Sequence, residues 1–121
     1  MTDTAWAKMV SEHAFQEGVI RTARLNGWLT YAVLESKRPA KRTLKGWPDL
    51  TLVKPPYIIF AELKSYKGKL RPDQMEVGRQ LLECACQNKY VFHAVWRPQD
   101  VDQIDEILEN PEGTLIDADQ E

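Results

Sequence analysis

Apolar residues recur at helical spacing near both ends of the chain and at strand spacing in its middle. Phe15, Val19 and Ala23 repeat every fourth position, which predicts a helix over residues 4–26, stopped by Asn26-Gly27. Residues 28–34 are aromatic and branched and predict a first strand. Two further runs, near residues 50–53 and 57–63, flank Pro55-Pro56, a pair that cannot extend a ladder and so reads as the turn of a hairpin. Pro72 suits the first position of a helix and Asp73 its first turn. On that helix Gln74, Gly78, Leu81 and Ala85 share a face, with Gly78 allowing close approach to the sheet. Residues 90–96 predict a fourth strand. Asp100, with Gln103 three positions on, predicts a capping box for a last helix with Ile104, Ile107 and Leu108 as its apolar face. The order α-β-β-β-α-β-α describes an α/β sandwich, a mixed four-stranded sheet flanked by helices.

At 121 residues, 43% hydrophobic and 28% charged, the composition is that of one ordinary globular domain, expected over residues 1–110. Residues 111–121 hold four acids and no base and are expected to be a mobile tail. The N-terminus lacks the apolar core of a leader and no run approaches a membrane span, so a cytoplasmic location is expected. Cys84 and Cys86 have neither metal nor redox spacing and read as small buried residues. His13 and His93 lack partners at metal-binding spacing, and His93 reads as a core or edge residue. The net charge of -2 hides a strong asymmetry: residues 37–71 carry ten basic residues against two acids, Asp49 and Glu62, giving +8 there and -10 elsewhere. A basic field around two isolated acids suits a polyanion being brought to a metal.

Those two acids hold the candidate chemistry. If the turn is symmetric, facing residue numbers sum to 111, as 54 and 57 do, and Asp49 lies opposite Glu62. Glu62 and Lys64, two apart on a strand, project together. Hard divalent cations take oxygen ligands. Asp49, Glu62 and the Leu63 backbone carbonyl could supply them, with Glu12 joining directly or through water. Glu12 falls in line with Phe15, whereas Glu17 lies about 140° around the helix and should face solvent. Glu12 also fits a plainer role, as a helix-start acid favoured by the helix dipole. Lys64 could orient an attacking water and stabilise charge on phosphorus. Lys37, Arg38, Lys41, Arg42 and Lys45 form one basic loop and Lys67, Lys69 and Arg71 a second. Both are candidates for phosphate contact, though solvated charge runs are common.

The ordered set SEHAFQEGVIRTARLNGW, KGWPDLTLV, FAELKSYKGKLRPDQ and VWRPQDVDQIDEIL resembles the PD-(D/E)XK nuclease superfamily, most closely the VRR-NUC (virus-type replication-repair nuclease) domain. The resemblance implies a restriction-endonuclease-like core and a Mg²⁺- or Mn²⁺-dependent phosphodiesterase acting on DNA, leaving 5′-phosphate and 3′-hydroxyl ends. Carried over by position, Asp49 and Glu62 resemble the metal-binding acids and Glu12 the first-helix acid. Lys64 resembles the catalytic lysine and Gln74 the helix glutamine that supports the site. Stand-alone members of this size resemble phage or bacterial proteins, some of them junction-resolving homodimers. The expectation is therefore a structure-directed DNA endonuclease of replication, recombination or repair, with DNA and a second copy as partners and no small-molecule cofactor. Three alternatives differ in kind: a non-catalytic DNA-binding subunit, a nuclease for plain duplex or single-stranded DNA, and an α/β domain binding another protein. Lys64 weighs against the first, since a structural cation needs no lysine beside it.

Overall fold

The computed structural model describes residues 4–33 and 44–116. The basic residues Lys37, Arg38, Lys41 and Arg42, the end of the first strand's run at Leu34 and residues 117–121 lie outside them. The elements run α1 (Thr4–Met9), α2 (Glu12–Leu25), β1 (Leu29–Ala32), β2 (Leu50–Lys54), β3 (Tyr57–Leu63), α3 (Pro72–Cys86), β4 (Val91–Trp96) and α4 (Val101–Glu109). The sheet order is β1-β2-β3-β4, with the first two pairings antiparallel and the third parallel. This is the expected mixed sheet, and α3 makes the crossover between its parallel strands.

Four details differ from the sequence expectation. The N-terminal helix is two helices. Ser11 adopts an extended backbone and its hydroxyl accepts from the Ala14 N–H at 3.0 Å, so a local cap starts a new helix ahead of the stripe that begins at Phe15. Asp100 does not cap α4 through its side chain. Its carboxylate accepts from the Arg97 N–H at 2.9 Å, and Pro98–Asp100 forms a 3-10 turn ahead of α4. Cys84 and Cys86 are exposed, not buried. Each sits one residue from the inward-turned Ala85, about 100° around the helix on either side, and so lies on an exposed flank. Past Asn110, where a tail is expected, Glu112–Ile116 forms a helical turn and Leu115 packs on the core.

The sheet's two faces are unlike. On one, Leu50, Leu52, Ile59, Ala61 and Leu63 meet Phe15, Val19 and Ala23 of α2 and Ile104 and Leu108 of α4. Trp28 closes this layer, its indole N–H donating to the Leu108 carbonyl at 3.0 Å, which satisfies a buried donor and a helix-end acceptor together. On the other face α3 covers β4 and β3. Gly78 lies so near His93 that a Cβ there would be 3.0 Å from the imidazole. Toward β1 the same face is open: Leu29 and Tyr31 are 71% and 67% exposed. The register ties Tyr31 to Thr51 and Thr51 to Phe60, all on the α3 side.

Two leucines of the same sheet should therefore respond differently to truncation. Leu50→Ala empties a fully buried position and should cost about 2–5 kcal/mol, whereas Leu29→Ala should stay within about 0.5 kcal/mol. Equal losses in urea unfolding would contradict this assignment of faces.

Candidate active site

β2 and β3 pair from Leu50↔Ala61 to Lys54↔Tyr57, so facing numbers sum to 111 and no bulge intervenes. Continued by one position, this register sets Asp49 opposite Glu62, on the face covered by α3. Asp49 is anchored twice: its carbonyl accepts from the Val33 N–H at 2.9 Å and its Oδ2 from the Leu63 N–H at 2.8 Å. The second contact turns the carboxylate across toward β3. One position further, the register sets Leu63 opposite Pro48, which is fully buried and has no N–H to donate. The ladder stops there, and the Leu63 carbonyl gets no donor from it.

Glu62 is 3% exposed, a burial rare for a carboxylate without partners. Gln74 Nε2 donates to its Oε1 at 2.7 Å, and Gln74 Oε1 accepts from the Arg71 N–H at 2.9 Å. Because a backbone N–H can only donate, the Gln74 oxygen must face Arg71 and its NH₂ must face Glu62. One side chain thus completes the N-terminus of α3 and orients a buried acid. Lys64 is also buried, with its Nζ 4.0 Å from the same Glu62 oxygen. Burial pushes the Glu62 carboxyl up to about 8. The adjacent Asp49 charge and a hydrogen bond shared with Asp49 add to this, against the opposing pull of Lys64 and Arg71. Near neutral pH the pair of acids therefore holds a proton between them, the place a cation would take.

The other candidate residues fall in different places. Glu12 is the first residue of α2 and exposed, where the stripe through Phe15 predicts an inward direction. At the open first turn it lines a cavity with Glu17, Ala32 and Val33, the last being the residue that bonds Asp49. Among the described residues no three His, Cys, Asp or Glu side chains gather closely enough to hold a metal ion. The carboxylates that come together are Asp49 and Glu62. Gly46, with φ +94°, packs against the start of α3, where a Cβ would lie 2.5 Å from the Asp73 carbonyl oxygen. That approach brings Lys45 near Asp73, whose carboxyl feels the charges of Arg71 and Lys45. Lys67 and Lys69 stand exposed on the loop after Lys64. Missed by sequence reasoning were Arg97 and Gln99, which donate to backbone carbonyls of that loop. Nothing local in RPQ signals a contact some 30 residues back.

No family model matches the chain, and no curated protein does. A solved structure described as a VRR_NUC domain matches at a TM-score of 0.56 and 21% identity, over 81% of this chain and 94% of that one. The chain carries the fold of a VRR_NUC domain.

The raised Glu62 carboxyl has a signed consequence. The folded, metal-free protein keeps a proton that the unfolded chain releases above its ordinary value of 4.5, so this stabilisation is full below 4.5 and is lost as pH rises through about 8. Thermal melting in EDTA should show a falling Tm across this window. Glu62→Gln, which keeps the hydrogen bonds without the ionisation, should flatten the decline. A steeper decline in Glu62→Gln would contradict the shared proton.

Proposed function

We propose that this protein, with its VRR_NUC fold, is a metal-dependent DNA endonuclease whose reaction centre is Asp49, Glu62 and Lys64. The observation that carries the reading is the pairing of half-buried Asp49 with buried Glu62 at the end of the hairpin, with a lysine 4.0 Å from Glu62. The donor set is all oxygen and fits Mg²⁺ or Mn²⁺ better than zinc. Asp49, Glu62 and the Leu63 carbonyl would hold the ion, with Glu12 reaching it through water. Such an ion supplies a Lewis acid for a phosphoryl oxygen and lowers the pKa of a bound water.

The chain's own groups do the remainder. Gln74 holds Glu62 in one orientation, so the acid does not swing away when it loses its proton. Lys64, buried beside it, orients the attacking water and offers positive charge where negative charge builds on phosphorus. Lys45, Lys67, Lys69 and Arg71, with Lys37, Arg38, Lys41 and Arg42, form the basic field that draws the DNA backbone in. Substrate choice is structure-directed, toward junctions or other branched DNA, with a second copy acting on the other strand in the cytoplasm of a bacterial or phage-infected cell. A non-catalytic DNA-binding subunit fits less well, because burying Lys64 next to the acids serves chemistry and not the holding of a structural cation.

The experiment is cleavage of labelled single-stranded, duplex, flap and four-way-junction DNA with Mg²⁺, Mn²⁺ or EDTA. Asp49→Ala, Glu62→Ala and Lys64→Ala should each lower the rate at least about 100-fold while DNA binding persists, the loss of one electrostatic stabiliser alone being of that order. Wild-type cutting by Lys64→Ala overturns its role. Binding without any cutting moves the DNA-binding subunit ahead, and equal cutting of plain duplex removes the structure-directed preference.

A further inference from the structure

The loop of residues 64–71 joins the reactive end of β3 to α3 and carries Lys64, Lys67, Lys69 and Arg71 with no acid. Four cations in eight residues repel one another, yet this loop is held. Arg97 Nη2 donates to the Gly68 carbonyl at 2.7 Å, and Gln99 Nε2 to the Tyr66 carbonyl at 3.1 Å. The Lys8 ammonium sits 5.7 Å from the centre of the Tyr66 ring. Within the loop the Gly68 N–H closes a turn on the Ser65 carbonyl at 3.1 Å. The turn is seated directly on Lys64: a Cβ at Gly68 would lie 2.9 Å from Ser65 Oγ and 3.4 Å from the Lys64 Cβ.

Arg97 is itself fixed. Its N–H donates to the Asp100 carboxylate at 2.9 Å and its carbonyl accepts from the Asp100 N–H at 2.8 Å. It follows Trp96, whose carbonyl accepts from the Lys64 N–H at 3.0 Å. The clamp and the clamped lysine thus hang on neighbouring points of the sheet. Among the described residues no carboxylate lies within ion-pair distance of the Arg97 guanidinium. A neutral carbonyl would be served as well by an uncharged donor, as Tyr66 is by Gln99. Lys64 stands beside Glu62 and Arg71 is paired with Asp73, but placing a guanidinium on Gly68, between Lys67 and Lys69, is unfavourable unless a polyanion is to be bound.

We propose that Arg97 is a positioning residue for phosphate binding. It fixes the loop so that Lys67 and Lys69 meet the DNA backbone as a preset pair beside Lys64, and its own charge reinforces theirs. Ordering the loop on folding removes that entropy loss from the binding step. This rests on the nuclease reading for the identity of the polyanion.

The test is binding of a fluorescein-labelled four-way junction and duplex in EDTA, followed by anisotropy over a range of salt. Arg97→Ala should weaken binding about tenfold, and Arg97→Lys should recover part of the loss. Removing Lys67 and Lys69 together should cost about tenfold in the parent protein but under threefold in Arg97→Ala, where the pair is no longer preset. In cleavage, KM should rise more than kcat falls. Hydrogen exchange of the loop amides should quicken while β3 stays protected. Unchanged binding by Arg97→Ala, or strict additivity with the lysines, overturns the proposal. Should Arg97→Ala fail to fold, Gln99→Ala takes its place, with several-fold weaker binding expected and no change decisive against. DNA binding that depends on Arg97 without any cutting leaves this proposal standing and removes the nuclease. Normal cutting with Arg97→Ala does the reverse.

Discussion

Two carboxylates that would repel each other are forced face to face by a hairpin register, and much of the rest of the molecule is arranged around that constraint. Asp49 and Glu62 meet because the turn at Pro55-Pro56 is symmetric and nothing bulges between it and the site. Burial makes their meeting worse, since a low-dielectric surrounding strengthens repulsion as well as attraction. The protein answers locally. The Leu63 N–H holds one acid, Gln74 holds the other, and a buried lysine stands beside the second. The residual conflict shows as a Glu62 carboxyl raised to about 8.

Such a site needs a rigid floor, and the unlike faces of the sheet provide one. Beneath it, Leu50, Leu52, Ile59 and Leu63 are almost wholly buried against α2 and α4. Leu63 stands between Glu62 and Lys64 in sequence and points the opposite way, so the alternation of the strand sends the apolar side chain to the core and both charged ones to the site. Above the sheet, α3 can sit close enough for Gln74 to reach Glu62 because Gly78 lets its backbone approach His93. The floor and the lid are different physical problems, solved by one strand and one helix.

How much of this was legible in the sequence follows the range of the interactions. The hairpin register was arithmetic on a proline turn, and the strand and helix starts at Tyr57 and Pro72 were local signals. The break at Ser11 is not legible because the apolar stripe begins only at Phe15 and says nothing of how the helix before it is joined. The two cysteines were misplaced because composition says buried while helical angle says exposed, and the angle, set by Ala85, wins. Asp100 was assigned to cap the helix it precedes, yet it bonds backward to Arg97, which commits the guanidinium toward Gly68. That last link joins residues 29 apart, and no window along the chain contains both ends. Glu12 is the intermediate case. A helix over residues 4–26 places it mid-helix and in line with Phe15, but α2 begins at Glu12, and a first-turn residue is not yet enclosed by the helix and faces outward.

The proline at position 48 shows how little is needed to end a sheet where chemistry can begin. An antiparallel ladder continued past Leu50 would pair position 48 with Leu63, consuming the Leu63 N–H and carbonyl in two backbone bonds. Proline has no N–H, so the carbonyl loses its donor, and the Leu63 N–H goes to the Asp49 side chain. With any other residue at 48 an N–H would stand opposite the Leu63 carbonyl and could take it into the ladder. The proline thus spares one backbone oxygen, one position from the acid it precedes. The adjacency of proline and aspartate has a geometric use: the residue that leaves the Leu63 carbonyl without a ladder donor stands next to the one whose carboxylate takes the Leu63 N–H.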